Sequence, residues 1–153
     1  MNLELCGEIL SDGSIKWLTV EDLIRINREQ ILQGPFKDSE PIAVLSMERL
    51  ESSQASPAQY RFYEQTDDMF ELASVLMFSL INNHCFANGN KRTATQATFD
   101  FLLMNGYRIP PLDEAVILDM VVGVASKKYD REYIENWLAY YAEEFDTRLL
   151  CID

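Results

Sequence analysis

Apolar and polar positions along the chain fall into segments of helical period. Val20, Leu23, Ile24, Ile26, Asn27 and Ile31 recur at three- and four-residue spacing. With Thr19 and Asp22 as N-terminal signals, they predict a helix over about 20–33 that ends at Gly34-Pro35. Turn formers dominate from Gly34 to Pro41, and Ile42 to Leu50 predicts a short helical piece. The small polar run over 51–58 reads as a loop, either an ordinary surface loop or a lid over a site. Met69, Leu72, Ala73, Leu76 and Leu80 predict the next helix, with Thr66 as its cap and Asp67 and Asp68 in its first turn. A helix over about 91–105 is apolar nearly all round, through Ala94, Ala97, Phe99, Phe101, Leu102 and Leu103, so it is expected to be the central, buried one.

Gly106 follows as a C-cap and Pro110-Pro111 blocks continuation. Asp113-Glu114 open another helix to about Ser126, and Tyr133, Ile134, Trp137, Leu138 and Tyr141 mark a last amphipathic helix from Asp130 to about Phe145. Near the start, a brief strand or hairpin fits Leu5–Leu10, with a turn at Ser11–Ser14. The fold class expected is all-α: a single-domain helical bundle over 1–153, with room for a short N-terminal β element.

Composition narrows the function classes. At 48% hydrophobic, 153 residues suffice for one core, and no repeat or domain linker divides them. A formal net charge of −12 lacks the electrostatic footprint of a nucleic-acid binder and disfavours an anionic membrane, whereas it suits a basic partner. Cys6, Cys85 and Cys151 have no short pairing or metal spacing, which fits a reducing cytoplasm. No apolar run approaches the roughly 20 residues of a membrane span, and no basic leader precedes Glu4 and Glu8, so the expected location is cytoplasmic.

The candidate chemistry lies in His84 to Thr95, His-Cys-Phe-Ala-Asn-Gly-Asn-Lys-Arg-Thr-Ala-Thr, which contains the only histidine of the chain. Gly89 and Asn90 accept the positive φ of a tight turn, and the next N–H groups open a helix and have no intrahelical partner. With the helix dipole these groups form an anion site. Lys91 and Arg92 add two cations at the helix end where the dipole disfavours them, a conflict that a bound phosphate would resolve. An imidazole with an ordinary pKa near 6.5 is suited to take a proton from an attacking hydroxyl beside such a cradle.

This stretch resembles the Fic/Doc signature His-x-Phe-x-(acidic)-Gly-Asn-(Gly or Lys)-Arg, and weaker similarity runs from Trp17 to about Trp137. Lys91 and the following Thr93-Ala94 resemble the Doc, or death-on-curing, branch. Thr95 stands where adenylyl-transferring members carry a second Arg. The resemblance implies that His84 is the catalytic base, that Gly89, Asn90, Lys91 and Arg92 hold the phosphates of ATP or another nucleoside triphosphate, and that Phe86 is structural.

It also implies a Mg²⁺ ion, which the motif's acidic residue holds, but Asn88 occupies that position. Asn88 is therefore read either as a neutral metal ligand or as a turn residue only. On the Doc reading the γ-phosphoryl passes to a Ser or Thr of a protein substrate, with elongation factor Tu the implied target, and an antitoxin silences the protein in trans. The self-silencing run of some relatives is missing, since Glu135-Asn136 is preceded at its spacing by Arg131. AMP transfer by the same site, a nucleotide- or partner-binding module degenerate at Asn88, and a helical interaction domain with an accidental motif are the competing readings.

Overall fold

The computed structural model describes residues 14–151, in which six α-helices build one all-α core. They are α1 (Val20–Gln33), α2 (Met47–Glu64), α3 (Met69–Asn83), α4 (Asn90–Met104), α5 (Glu114–Ala125) and α6 (Arg131–Tyr141). Two-residue strands, β1 (Tyr107–Arg108) and β2 (Glu143–Glu144), pair antiparallel, and a 3₁₀ turn covers Thr147–Cys151. The expected N-terminal strand at Leu5–Leu10 lies outside the described residues.

Helix α1 starts as its sequence dictates. The Thr19 hydroxyl accepts from the Asp22 N–H while the Asp22 carboxylate accepts from the Thr19 N–H, a reciprocal capping box. Its buried stripe is Leu23, Ile26, Asn27 and Ile31. For α3 the cap is Asp68, which accepts from the Phe70 and Glu71 N–H groups, rather than Thr66, whose hydroxyl accepts one residue earlier from the Asp68 N–H.

Residues 51–58 are neither loop nor lid, because α2 runs through them. Leu50, Ser53 and Pro57 are buried on one face of α2 at helical spacing. Pro57 has no N–H to give the carbonyl of Ser53, one turn back, and the Ser56 hydroxyl donates to that carbonyl instead at 2.7 Å. The helix therefore continues through a residue that ordinarily ends one.

The central helix is α3, not α4. Helices α2, α4, α5 and α6 all pack on α3, which buries Leu72, Ala73, Ser74, Leu76, Met77, Leu80 and Ile81 around its circumference. Helix α4 packs on α3 and α1, with Phe99 and Leu103 half-buried and the Phe99 ring stacked on Trp137 of α6. The last helix stops at Tyr141, since Glu143–Glu144 leave it to pair with β1 across the Gly106 turn. Helices α3 and α4 are joined by only six residues, 84–89, so the C-terminus of α3 and the N-terminus of α4 share one end of the bundle.

Candidate functional site

The α3–α4 connection carries the motif. His84 is the C-cap of α3 in left-handed conformation, φ 48° and ψ 54°, which turns the chain sharply out of the helix. Its side chain is exposed and has no hydrogen-bond partner among the described residues. Two residues on, Phe86 is 2% exposed and belongs to the core, the inward anchor expected of it. Asn90 clamps that anchor by its backbone: its Oδ1 accepts from the Phe86 N–H at 3.0 Å and its Nδ2 donates to the Phe86 carbonyl at 2.9 Å. The Asn90 side chain is thus committed to the loop, and only its backbone N–H faces outward chemistry.

Gly89 is the N-cap of α4 at φ 73°. A Cβ there would adopt a disfavoured conformation and would stand 3.3 Å from the Asn27 Nδ2 and 3.4 Å from Ile31, so α1 backs the turn closely. Asn27, 1% exposed on the apolar stripe of α1, donates to the Asn88 carbonyl at 2.8 Å and to the Thr93 hydroxyl at 3.1 Å. It pins both sides of the glycine turn. A polar residue on a buried helical stripe was the sequence signal for this role.

Helix α4 opens without a side-chain cap. The Thr93 N–H bonds the Gly89 carbonyl at 2.8 Å, so the first-turn N–H groups of Asn90, Lys91 and Arg92 are left for an external acceptor. Lys91 is exposed and has no acidic partner among the described residues. Arg92, by contrast, is occupied. Its Nη2 donates to both carboxylate oxygens of Glu40, at 3.0 and 2.8 Å, and its Nη1 lies 3.4 Å from the Gln30 carbonyl. Gly34 makes room for this course, since a Cβ there would approach the Arg92 Nη1 to 2.6 Å. The charge conflict at the helix end is therefore met for Arg92 by Glu40, a residue without a sequence signal, while Lys91 remains uncompensated.

Glu40 belongs to a segment that drapes over the motif. The Ala87 N–H donates to the Ala43 carbonyl at 2.9 Å, the Leu45 N–H donates to the Cys85 carbonyl at 2.8 Å, and Val44 bridges Phe86. The Asn88 Nδ2 donates to the Pro41 carbonyl at 3.1 Å. This bond is one a carboxylate could not make, and it gives the Asn at position 88 a structural reason. The Asn88 Oδ1 is left as a neutral acceptor.

A polyphosphate fits the uncapped end of α4, with its free N–H groups and Lys91. For a divalent cation the donor set is thin: among the described residues no group of three or more His, Cys, Asp or Glu could hold a metal, and Asn88 offers one amide oxygen. Cys85 is buried, with its sulfur 3.6 Å from the Ser53 hydroxyl, and burial pushes its thiol pKa up, so it is a poor nucleophile. His84 also lines an open cleft of about 710 Å³ between Asn83-His84 and the start of α2, where Ser46, Glu48, Arg49 and Ser52 form its wall. Among the described residues no helix is long and apolar enough to cross a membrane.

A six-helix core, a histidine at one helix end and an uncapped glycine turn beside it are what the motif leads one to expect. Residues 17–102 match the model of the Fic/DOC family, more than half of the chain, and the chain belongs to that family. It is 33% identical over 64 residues to "Protein kinase doc" of Escherichia phage P1, covering 42% of this chain and 49% of that protein. It is 34% identical over 80 residues to "Toxin Doc" of Mycolicibacterium smegmatis, covering 52% of this chain and 62% of that protein. The matches thus span about half to three-fifths of the relatives' length, and within the family they lie on the Doc side.

Proposed function

We propose that the protein is a Doc-type toxin that transfers the γ-phosphoryl group of a nucleoside triphosphate to a Ser or Thr hydroxyl of a translation factor, with elongation factor Tu the target implied. One observation carries the reading: an exposed, unpartnered His84 stands at the same end of the bundle as the uncapped N-terminus of α4. The N–H groups of the α4 first turn and Lys91 hold the polyphosphate. An unpartnered ring nitrogen of His84 accepts the proton of the acceptor hydroxyl as its oxygen bonds the γ-phosphorus. The bond from that phosphorus to the bridging oxygen breaks, and the nucleoside diphosphate leaves with the electron pair. Charge that builds on the transferring group is met by fixed donors.

A Mg²⁺ ion on the nucleotide would add charge neutralisation, with the Asn88 amide oxygen as the protein's contribution. Lys91, and Thr95 in place of a second cation, favour phosphoryl over AMP transfer. The neutral Asn88 and the paired Arg92 favour the second reading, a module that binds nucleotide without transfer. The partner that silences the site is an antitoxin supplied in trans, for Glu135 is spent on Arg131 of its own helix at 3.0 Å.

Expression in a bacterial host tests the toxin reading. Induction of the natural sequence arrests growth, and His84→Ala, accumulated to the same soluble level, does not. Arrest by both proteins, or by neither, overturns it.

A further inference from the structure

The cleft beside His84 contains a cation that makes no ion pair among the described residues. Arg49, in the first turn of α2, lines the same cleft as His84 and Asn83. Its side chain makes one long contact, from Nη1 to the Asn83 carbonyl at 3.4 Å, and no ion pair among the described residues, not even with its neighbour Glu48. A guanidinium carries five N–H donors in a planar fork that matches a carboxylate or a phosphate, so most of its capacity is open. Among the described residues Arg28 likewise makes no ion pair, but it does not line this cleft.

Two anions compete for this assignment, the nucleotide and the acceptor. Their separation follows from the elements. The phosphate cradle is the start of α4, whereas the cleft is walled by α2 and the end of α3, and none of Gly89, Asn90, Lys91 or Arg92 lines it. His84, the C-cap of α3, lines the cleft and is joined to the start of α4 by the short 84–89 connection. A base that takes a proton from the acceptor and faces phosphorus on its other side needs this order: nucleotide, histidine, acceptor. The Ser46 hydroxyl, at the cleft edge, already accepts from the Arg49 N–H, which leaves the Arg49 guanidinium as the cationic group of the cleft.

We propose that this cleft receives the acceptor segment of the protein substrate, and that Arg49 holds a carboxylate side chain close in sequence to the accepting Ser or Thr. The assignment rests on the transferase reading above and narrows it to acceptors in acidic sequence. Arg49 is then a specificity residue on the acceptor side. It contributes to the KM for the acceptor and not to that for the nucleotide.

The test uses two synthetic peptides that differ in one atom pair, each with a single Thr and either Asp or Asn two positions away, and follows the Arg49 Nε–H resonance of the full chain by NMR. The Asp peptide shifts the resonance and the Asn peptide does so at about fivefold higher concentration, the size expected of one exposed charge pair. Fluorescence anisotropy of the same two peptides, dye-labelled, reads affinity in the variants: Arg49→Ala binds the two peptides equally, and Arg49→Lys keeps part of the preference. ATP leaves the resonance in place. A shift by ATP alone would assign the cation to the nucleotide, and equal response to both peptides would leave it without a ligand; either result overturns the proposal. Because binding is read directly, a protein that recognises the Asp peptide but transfers nothing to it would refute the transferase reading while the acceptor cleft stood.

Discussion

Removing the charge of Glu40 should tighten polyphosphate binding. The carboxylate places both oxygens within 3.0 Å of the Arg92 Nη2, and the two side chains are 36% and 19% exposed, Arg92 and Glu40 respectively. At an effective dielectric of about 20, unit charges some 4 Å apart attract by about 4 kcal/mol before desolvation is counted. Exposure of about a third of the Arg92 side chain and the use of one nitrogen rather than a two-nitrogen fork reduce the net value to about 1 kcal/mol. A phosphate that draws Arg92 into the cradle forfeits that amount. Glu40→Gln removes the competitor, so affinity should rise about fivefold. Calorimetry with tripolyphosphate, in wild type, Glu40→Gln, Arg92→Ala and the double variant, reads the effect directly. The gain should vanish in the Arg92→Ala background and persist at raised salt, where a general loss of negative charge would be screened. Unchanged or weaker binding by Glu40→Gln would show that Glu40 positions Arg92 rather than competes for it.

Asn88→Asp exchanges a donor for a carboxylate opposite the Pro41 carbonyl. It should loosen segment 34–43, seen as faster limited proteolysis, while lowering the Mg²⁺ concentration for half-maximal nucleotide binding by about tenfold. Ser56→Ala leaves the carbonyl of the fully buried Ser53 without its donor, and the cost of about 1–2 kcal/mol should appear as a Tm lower by roughly 3–6 °C. Asp100, on α4, has a carboxyl pKa raised by burial and held down in part by the Gln96 amide. A carboxyl raised in the folded state binds more protons there than in the unfolded chain, so its ionisation costs stability as pH rises from its unfolded value, near 4, through the folded one. Asp100→Asn should therefore raise Tm at pH 7, and the gain should disappear on acidification below pH 4.

The order of helices was legible because their apolar stripes and caps are local. Thr19 with Asp22, Asp113 and Gly106 mark ends that the structure keeps to within a residue or so. Of helix α2 only the start was legible, in the helical piece expected over 42–50, which the structure begins at Met47; the rest was hidden because its buried stripe is Leu50, Ser53 and Pro57, two of them residues that do not count as apolar helix formers. The rank of α3 over α4 was hidden for another reason: both are apolar on most sides, and which one is surrounded depends on where α2 and α6 return, a long-range matter. At the site, the order of His84, Phe86, Gly89 and Asn90 was readable as a turn that ends one helix and starts another. The Arg92–Glu40 pair spans 52 positions and the Asn27–Asn88 bond 61, separations over which a single sequence carries no pairing signal.

Transfer from labelled ATP to purified elongation factor Tu tests the central claim most directly. With label on the γ-phosphate, the wild-type protein and Mg²⁺ should leave label on a Ser or Thr of the factor, and His84→Ala, folded to the same Tm, should leave none. With label on the α-phosphate, neither should. Label carried only from the α-phosphate would make the reaction AMP transfer, and transfer that survives His84→Ala would contradict the assignment of the base on which the whole account depends.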